Sequence, residues 1–371
     1  MSTPLYQNET FFLYLPYKQE NYQHKMKKYI IVTGLILIMI SWQCSKDERD
    51  LTLKESIEES AVKINAAFDK IAVSTGYQLL SITEDGAKSD LTEDFRDRID
   101  LELIAGIYDF KPNTEKPRNA YFPFRLFEKT GDSEKLIVNM PEKLAFHPRY
   151  LHFCDQADAE LENNFTISAT AYHFYFTPWN NCDYELAADF ELDDEDIGSM
   201  SMFSTWSSGV AGEYSKTFTF PEGYTVVRSG VTGETTKMVF ALAQDKDTLL
   251  KETLKFSGDG FKRKEKQYIL SIGDVDIKRT TGIDSIQVFL NGVLQEKAGV
   301  KIVDNEDYNA SICHRRDILL TFDDGTTAKL SELIGPAMET LKSLSKSMGE
   351  MYFAKHIVDY IAFSIYYNEH E

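Results

Sequence analysis

The side chains best suited to chemistry in this chain are carboxylates, cysteines, histidines and exposed rings, and the spacing of each group limits what it can do. The densest acidic run is Asp189-Phe190-Glu191-Leu192-Asp193-Asp194-Glu195-Asp196. Calcium takes roughly six to eight oxygen ligands, so such a run invites a test against the twelve-residue calcium loop. Starting that register at Asp193 puts Gly198 on the sixth position, but Ser204 stands on the twelfth, where a bidentate glutamate is needed. The run therefore reads as a solvated loop, as does Asp304-Asn305-Glu306-Asp307, and neither is assigned a metal. The seven histidines form no His-Glu-x-x-His pair, Gly-x-Ser-x-Gly is absent, and no Gly-rich loop follows a strand and opens a helix. No catalytic residue and no cofactor is assigned on this pattern. Cys154, Cys182 and Cys313 lack Cys-x-x-Cys spacing, and the adjacent Cys313-His314 pair does not easily direct two side chains at one metal. In an oxidising compartment Cys154 and Cys182 are candidates for a bridge, whose loop of about 28 residues would contribute about 3.5 kcal/mol by loop-closure entropy. The alternative is three buried reduced thiols. In Tyr172-His173-Phe174-Tyr175-Phe176-Thr177-Pro178-Trp179 a strand would set Tyr172, Phe174 and Phe176 on one face and His173 and Tyr175 on the other. Core packing accounts for the first face, which leaves Tyr175, Trp179 and Trp206 as candidate ligand contacts, rings that could stack on a glycan beside carboxylates.

A fourth cysteine has a different setting. Lys27 and Lys28 follow Met26, an apolar stretch of about 14 residues runs from Tyr29 to Trp42, and Gln43 precedes Cys44. That stretch has the length of a signal-peptide core and falls short of the roughly 18 or more residues of a membrane-spanning helix. The pattern resembles that of diacylglyceryl-modified bacterial lipoproteins, in which signal peptidase II cuts just before the lipidated cysteine. Trp42 and Gln43 stand where such leaders place small residues. Lys46-Asp47-Glu48 is similar to the surface-export signal of Bacteroidota lipoproteins, a lysine and two acids just after the cysteine. The resemblance implies lipidation at Cys44, anchoring in the outer membrane and exposure at the cell surface; the alternative is an ordinary thiol behind an ordinary signal peptide. On this reading residues 1–25 are an upstream extension, 26–43 the signal peptide and 44–52 a tether.

Composition bounds the remainder. The 328 residues from Cys44 to Glu371 suffice for two or three domains. A hydrophobic content of 43% with 13% aromatics argues against disorder and towards strands. Removing residues 1–43 takes away four basic and two acidic residues and leaves 36 basic against 57 acidic, a net charge of −21. A surface so negative repels phosphate backbones and anionic headgroups, so no nucleic-acid partner is expected, and membrane attachment falls to the lipid.

These residues must be positioned by a mostly β, α+β architecture: antiparallel, sandwich-like, with an N-terminal helix and a C-terminal hairpin and helix region. Leu53, Ile57, Ala61, Ile64, Phe68 and Ile71 fall on one stripe of a 3.6-period helix over 53–73, with Thr75-Gly76 as its stop. The alternation of Ile99, Leu101, Leu103, Ala105 and Ile107 predicts a half-buried strand. Further strand runs follow at Tyr121–Glu128, Leu136–Met140, Phe165–Phe176, Tyr184–Leu192, Met200–Thr205, Lys216–Arg228, Thr236–Leu242, Leu249–Phe256 and Phe261–Ile277. Turn residues such as Pro221-Glu222-Gly223 punctuate them. Asn291-Gly292 between two apolar runs predicts a tight hairpin, and Asp323-Asp324-Gly325 a second. Leu333, Ala337, Leu341, Leu344 and Met348 predict helix, broken or restarted at Gly335-Pro336, and residues 357–367 suit helix or strand, with a strand preferred. The expected segments are 53–160, helix plus β; 161–279, sandwich-like; and 280–371, hairpins and helix.

The segment Phe261–Ile272 (FKRKEKQYILSI) is similar to the closing strands of fimbrillin-like domains, where a polar turn precedes a tyrosine and an alternating strand. The whole chain resembles uncharacterised lipoproteins of gut Bacteroidota. Two functions are carried forward. One is an extracytoplasmic binding or adhesion module, a fimbrial accessory or a glycan- or surface-protein-contacting protein. The other is an envelope hydrolase whose site is assembled from distant strands.

Overall fold

Helix α1 (Leu53–Val73) is opened by a capping box. The Thr52 hydroxyl accepts from Glu55 N at 3.3 Å, and Glu55 Oε2 accepts from Thr52 N at 2.9 Å. The expected apolar stripe is buried along its whole length, with Ile57, Ile64 and Ile71 fully shielded. The expected stop at Thr75-Gly76 is corrected. Ser74 ends α1 and its hydroxyl at once accepts from Tyr77 N at 3.1 Å, so a second short helix, α2 (Thr75–Leu80), follows immediately. A computed structural model describes residues 51–82, 98–111, 126–146, 162–177, 181–207, 210–257, 264–283, 285–304, 316–350, 353 and 357–370.

Most of the chain forms one antiparallel meander. The strands β5 (Phe165–Thr177), β6 (Asn181–Leu192), β7 (Glu195–Ser207), β8 (Val210–Thr219), β9 (Tyr224–Val231), β10 (Thr235–Gln244), β11 (Asp247–Ser257), β12 (Lys264–Ile272), β13 (Val275–Thr280), β14 (Gln287–Leu290) and β15 (Val293–Leu294) each pair with the next. On the other flank β4 (Leu136–Met140) pairs with β5, β2 (Gly106–Phe110) runs parallel to β4, and β3 (Phe127–Gly131) forms the edge. The short β1 (Ile99–Asp100) also pairs with β5. The sheet thus draws strands from all three expected segments. The single strand expected over Ile99–Ile107 is corrected, because a 3-10 turn at Leu101–Leu103 divides it. That turn exposes Leu103 and buries Ile104, so the alternation does not persist across it. The run read as Phe261–Ile277 is also two strands, β12 and β13, joined at Gly273-Asp274; residues 261–263 lie outside the described residues.

Side-chain alternation gives the sheet one apolar face. A bulge at Thr170 in β5 lets Phe165, Ile167 and Ala169 share that face with Tyr172 beyond it. The rings of Phe165, Phe190 and Phe218 follow one another across it with centroids 6.4 Å apart at each step, and Phe353 sets its edge on Phe165 and Phe190.

The layer facing these rings is helical. Helix α4 (Leu330–Glu350) is broken at Ile334 (φ −121°, ψ 18°), next to the expected restart at Gly335-Pro336. The five-residue α3 (Glu142–Phe146) adds Leu144 and Ala145 to the core. The strand expected over 357–367 is corrected to a helix, α5 (Asp359–His370). Every residue from Ile357 to Ile365 is buried, and an element covered on all sides shows no one-sided period by which to tell helix from strand. Its one buried carboxylate is satisfied: Asp359 Oδ1 accepts from the hydroxyls of Tyr172 and Tyr184, each at 3.1 Å. Burial first, then the neighbouring Asp359 charge, pushes the Tyr172 phenol well above its ordinary pKa.

Two cations from the sheet hold the end of α4. Lys216 and Arg228 are cross-strand partners in β8 and β9; Lys216 Nζ donates to Gly349 O at 2.6 Å and Arg228 Nη1 to Ser345 O at 2.8 Å. Positive charge at a helix C-terminus answers the carbonyl end of the macrodipole. Gly349 permits the approach, since a Cβ there would lie 2.4 Å from Arg228 Nη1.

A second sheet of β16 (Gly299–Asp304), β17 (Arg316–Thr321) and β18 (Thr327–Lys329) packs β16 beside β14. The expected Asn291-Gly292 turn is present, with both residues at positive φ (50° and 77°). Helix α1 lies along β11, β12 and β13, and Lys70 near its end sits 5.8 Å over the ring of Tyr224 at the β8–β9 turn. It therefore crosses the rim made by the β8–β9, β10–β11 and β12–β13 turns, and leaves the opposite rim, with the β5–β6 and β7–β8 connections, on the far side.

Candidate functional site

The acidic run of 189–196 forms a strand–turn–strand. Asp193 and Asp194 occupy the β6–β7 turn at positive φ (51° and 63°), and residues 193–196 are exposed, as expected of a solvated connection. Its carboxylates serve the local structure: Asp193 Oδ1 accepts from Asn164 Nδ2 at 3.0 Å and Asp196 Oδ1 from Gly198 N at 2.8 Å.

A denser polar constellation lies on the outward face of β5, near the opposite rim. Asp100 stands opposite His173 in the β1–β5 ladder, and Asp183 opposite Tyr175 in the β5–β6 ladder. Arg98 grips Asp100 with two nitrogens, Nε to Oδ2 at 2.8 Å and Nη2 to Oδ1 at 3.3 Å. Asp100 Oδ1 lies 2.5 Å from His173 Nδ1, and His173 Nε2 lies 3.6 Å from Asp183 Oδ2. Burial raises the Asp100 pKa, but the hydrogen bonds and charges of His173 and Arg98 outweigh it and hold the carboxyl below its ordinary range. With Nδ1 against Asp100, the ring turns Nε2 towards Asp183. Among the described residues Nε2 has Asp183 as its polar neighbour. What the arrangement offers is a half-exposed ring, Tyr175, beside carboxylates and a guanidinium.

No family model, curated protein or solved structure matches the chain.

Of the expected site residues, the described ones are not brought together. Cys44, Lys46, Asp47, Glu48, Cys154, Cys313 and Trp179 lie outside the described residues, and of Cys182 only the backbone, in β6, is described. Tyr175 and Trp206 are both exposed, at 38% and 37%. They do not form one platform: Tyr175 pairs with Asp183 on the outward face, whereas Trp206 pairs with Cys182, one register step away and so on the other face. Sequence reading missed Asp100, Asp183 and Arg98. His173 is separated from Asp100 by 73 residues, and no local pattern marks such a pair; the outward position of His173 in the Tyr172–Trp179 strand was its only trace.

A second concavity lies on the inner side, where β12 to β14 meet β16 and β17. It is a largely apolar cleft of about 240 Å³, bounded by Tyr268, Ile277, Ile286, Val300 and Ile318. Asp317 also borders it, but its oxygens accept from Ser331 Oγ, Ser331 N and Ile318 N. Among the described residues no group of three or more histidine, cysteine or acidic side chains is arranged to hold a metal, and no helix is long and apolar enough to cross a membrane.

Proposed function

We propose that the chain is a lipid-anchored cell-envelope protein whose mature form begins at an acylated Cys44 and acts as an extracytoplasmic binding or adhesion module. The observation that carries this is the series Lys27-Lys28, Tyr29–Trp42, Cys44 and Lys46-Asp47-Glu48, set just ahead of the capping box at Thr52. Eight residues from Cys44 to Thr52 reach at most about 28 Å, so the lipid holds the start of α1 close to the membrane. One acyl chain anchors only marginally, whereas two or three anchor firmly. The ligand-contacting surface in this proposal is the outward patch of Tyr175, Asp183, His173, Asp100 and Arg98, at the rim opposite the one α1 crosses. A glycan suits its chemistry, with the ring stacking on a sugar face and the carboxylates and guanidinium taking hydroxyls. Among the described residues the patch sets His173 between two carboxylates, Asp100 and Asp183, and not beside a hydroxyl or thiol, and this favours binding over hydrolysis.

The test is the thiol itself, since only a cysteine sulfur accepts the diacylglyceryl group. The wild-type protein should enter the detergent phase, fractionate with outer membranes and be shaved by protease on intact cells. Cys44→Ala should give an uncleaved or soluble precursor, and neutralising Lys46, Asp47 and Glu48 together should retain the lipid but protect the protein from external protease. Recovery of wild type in the soluble periplasm, or an intact peptide carrying an unmodified Cys44, would overturn the proposal.

A further inference from the structure

Among the described residues the helices cover the inner face of the sheet, and the outward face is open from β6 to β12. Its charges are sorted by strand. On the outward side β6 carries Asp183, Glu185, Asp189 and Glu191 and β8 carries Glu213, all exposed. The uncharged Thr225, Val227, Ser229 and Val231 of β9 follow, and beyond them come Lys237 on β10 and Lys251 and Lys255 on β11. One row of the ladder runs from acid to base, with Asp183, Thr205, Glu213, Val231, Lys237 and Lys255 opposite one another in turn. Lys237 and Lys255 are direct cross-strand partners, which repel, and neither forms an ion pair among the described residues. At the middle of the row Val231 is 44% exposed, an apolar side chain between the two charges.

A face that is acidic on one side of β9 and basic on the other is complementary to itself. A two-fold axis parallel to β9, midway between two such faces, lays the acidic strands of each copy over the basic strands of the other. A two-fold axis across the strands would oppose like charges. We propose that this face joins two copies of the chain in a two-fold dimer, with Val231 meeting its counterpart near the axis and Glu213 of each copy meeting Lys237 of the partner subunit. The strand spacings from β6 to β12 and the residues from Glu213 to Thr219 span about 29 Å by about 20 Å, roughly 600 Å² a side. Two such sides reach about 1,200 Å², the lower end of specific interfaces, and the exposed charge pairs at their margin are screened by salt. The axis leaves the rim crossed by α1 at the same end of both copies, as two chains anchored in one membrane need. The β5 patch around Tyr175 lies outside this span, and the dimer rests on the strand register and not on Cys44.

Sedimentation velocity of the full chain in a density-matched detergent reads the dimer directly. At low ionic strength and micromolar concentration the wild type should sediment with twice the monomer mass, and about 0.5 M salt should shift it towards monomer. Glu213→Lys and Lys237→Glu should each weaken association at least about tenfold, because the two-fold repeats the contact. An equal mixture of the two variants should restore a dimer holding one copy of each, and so should both substitutions in one chain. Melting curves matching wild type would show that each variant is folded. A monomer at every salt concentration, a dimer indifferent to salt or to either charge reversal, or a mixture that stays monomeric would each overturn the assignment.

Discussion

Replacing Asp359 by Ala removes the acceptor that two buried tyrosines share. Tyr172 and Tyr184 are 3% and 9% exposed, so neither hydroxyl has ready access to water once Asp359 Oδ1 is gone. An orphaned buried donor costs about 1–3 kcal/mol, so the loss at Tyr172 alone makes Asp359→Ala about 1–3 kcal/mol less stable. Tyr172→Phe and Tyr184→Phe each remove a donor while leaving Asp359 bonded to the other, and each should cost only about 1 kcal/mol. In the triple variant with Asp359→Leu and both tyrosines changed to Phe, no polar group of this trio remains unpaired, and most of the loss should be recovered. Urea denaturation followed by far-ultraviolet circular dichroism measures all four, through the midpoint at constant slope. If the midpoints of Asp359→Ala and Tyr172→Phe both match wild type, the C-terminal helix does not lie against β5 and β6 and the reasoning is refuted.

Phe68→Ala should cost about 3–5 kcal/mol in the same assay because the ring is 2% exposed against the sheet, whereas Val62→Ala, 68% exposed on the same helix, should change stability by less than about 0.5 kcal/mol. Gly349→Ala should force Arg228 off Ser345 O, losing about 1.5–3 kcal/mol from a charged hydrogen bond against a gain of about 1 kcal/mol in helix propensity; in an Arg228→Gln background the same substitution should stabilise. A double-mutant cycle without that reversal of sign would remove Gly349 from the contact. The folded-state pKa of Asp100 lies below the ordinary 3.8, so its contribution is complete above that value and is lost as pH falls through the lower folded value. Stability curves of wild type and Asp100→Asn should therefore be separated at neutral pH and converge in strong acid, and a gap that widens in acid would contradict the ion-paired cluster.

The elements whose rules act over a few residues were legible in the sequence. The stripe from Leu53 to Ile71 specified α1, alternation specified β4 to β7, β10 and β11, and Asn291-Gly292 specified its hairpin, because each signal repeats within one turn or one pleat; the run Lys216–Arg228 proved to be the end of β8 and the start of β9. The mostly β class followed from these. Where local patterns failed, the cause was burial on every side or a local break in phase. Residues 357–365 are covered all round, so neither the four-residue spacing of Ile357, Ile361 and Ile365 nor the alternation of Ile361, Phe363 and Ile365 marked one buried side. Leu101–Leu103 turn out of the strand that their spacing suggested.

The candidate sites belong almost wholly to the tertiary structure. Asp359 meets Tyr172 across 187 residues, and His173 meets Asp100 across 73. Tyr175 and Trp206, paired by composition, were set on opposite faces by a single step of register. The cleft bounded by Tyr268, Ile277, Val300 and Ile318 exists only because the second sheet packs against the end of the first. A side chain's face is decided by strand register and bulges, and its neighbours by which strands pair. Both are set by burying the whole apolar face at once, an energy spread over the sheet and helices that no window of the sequence contains.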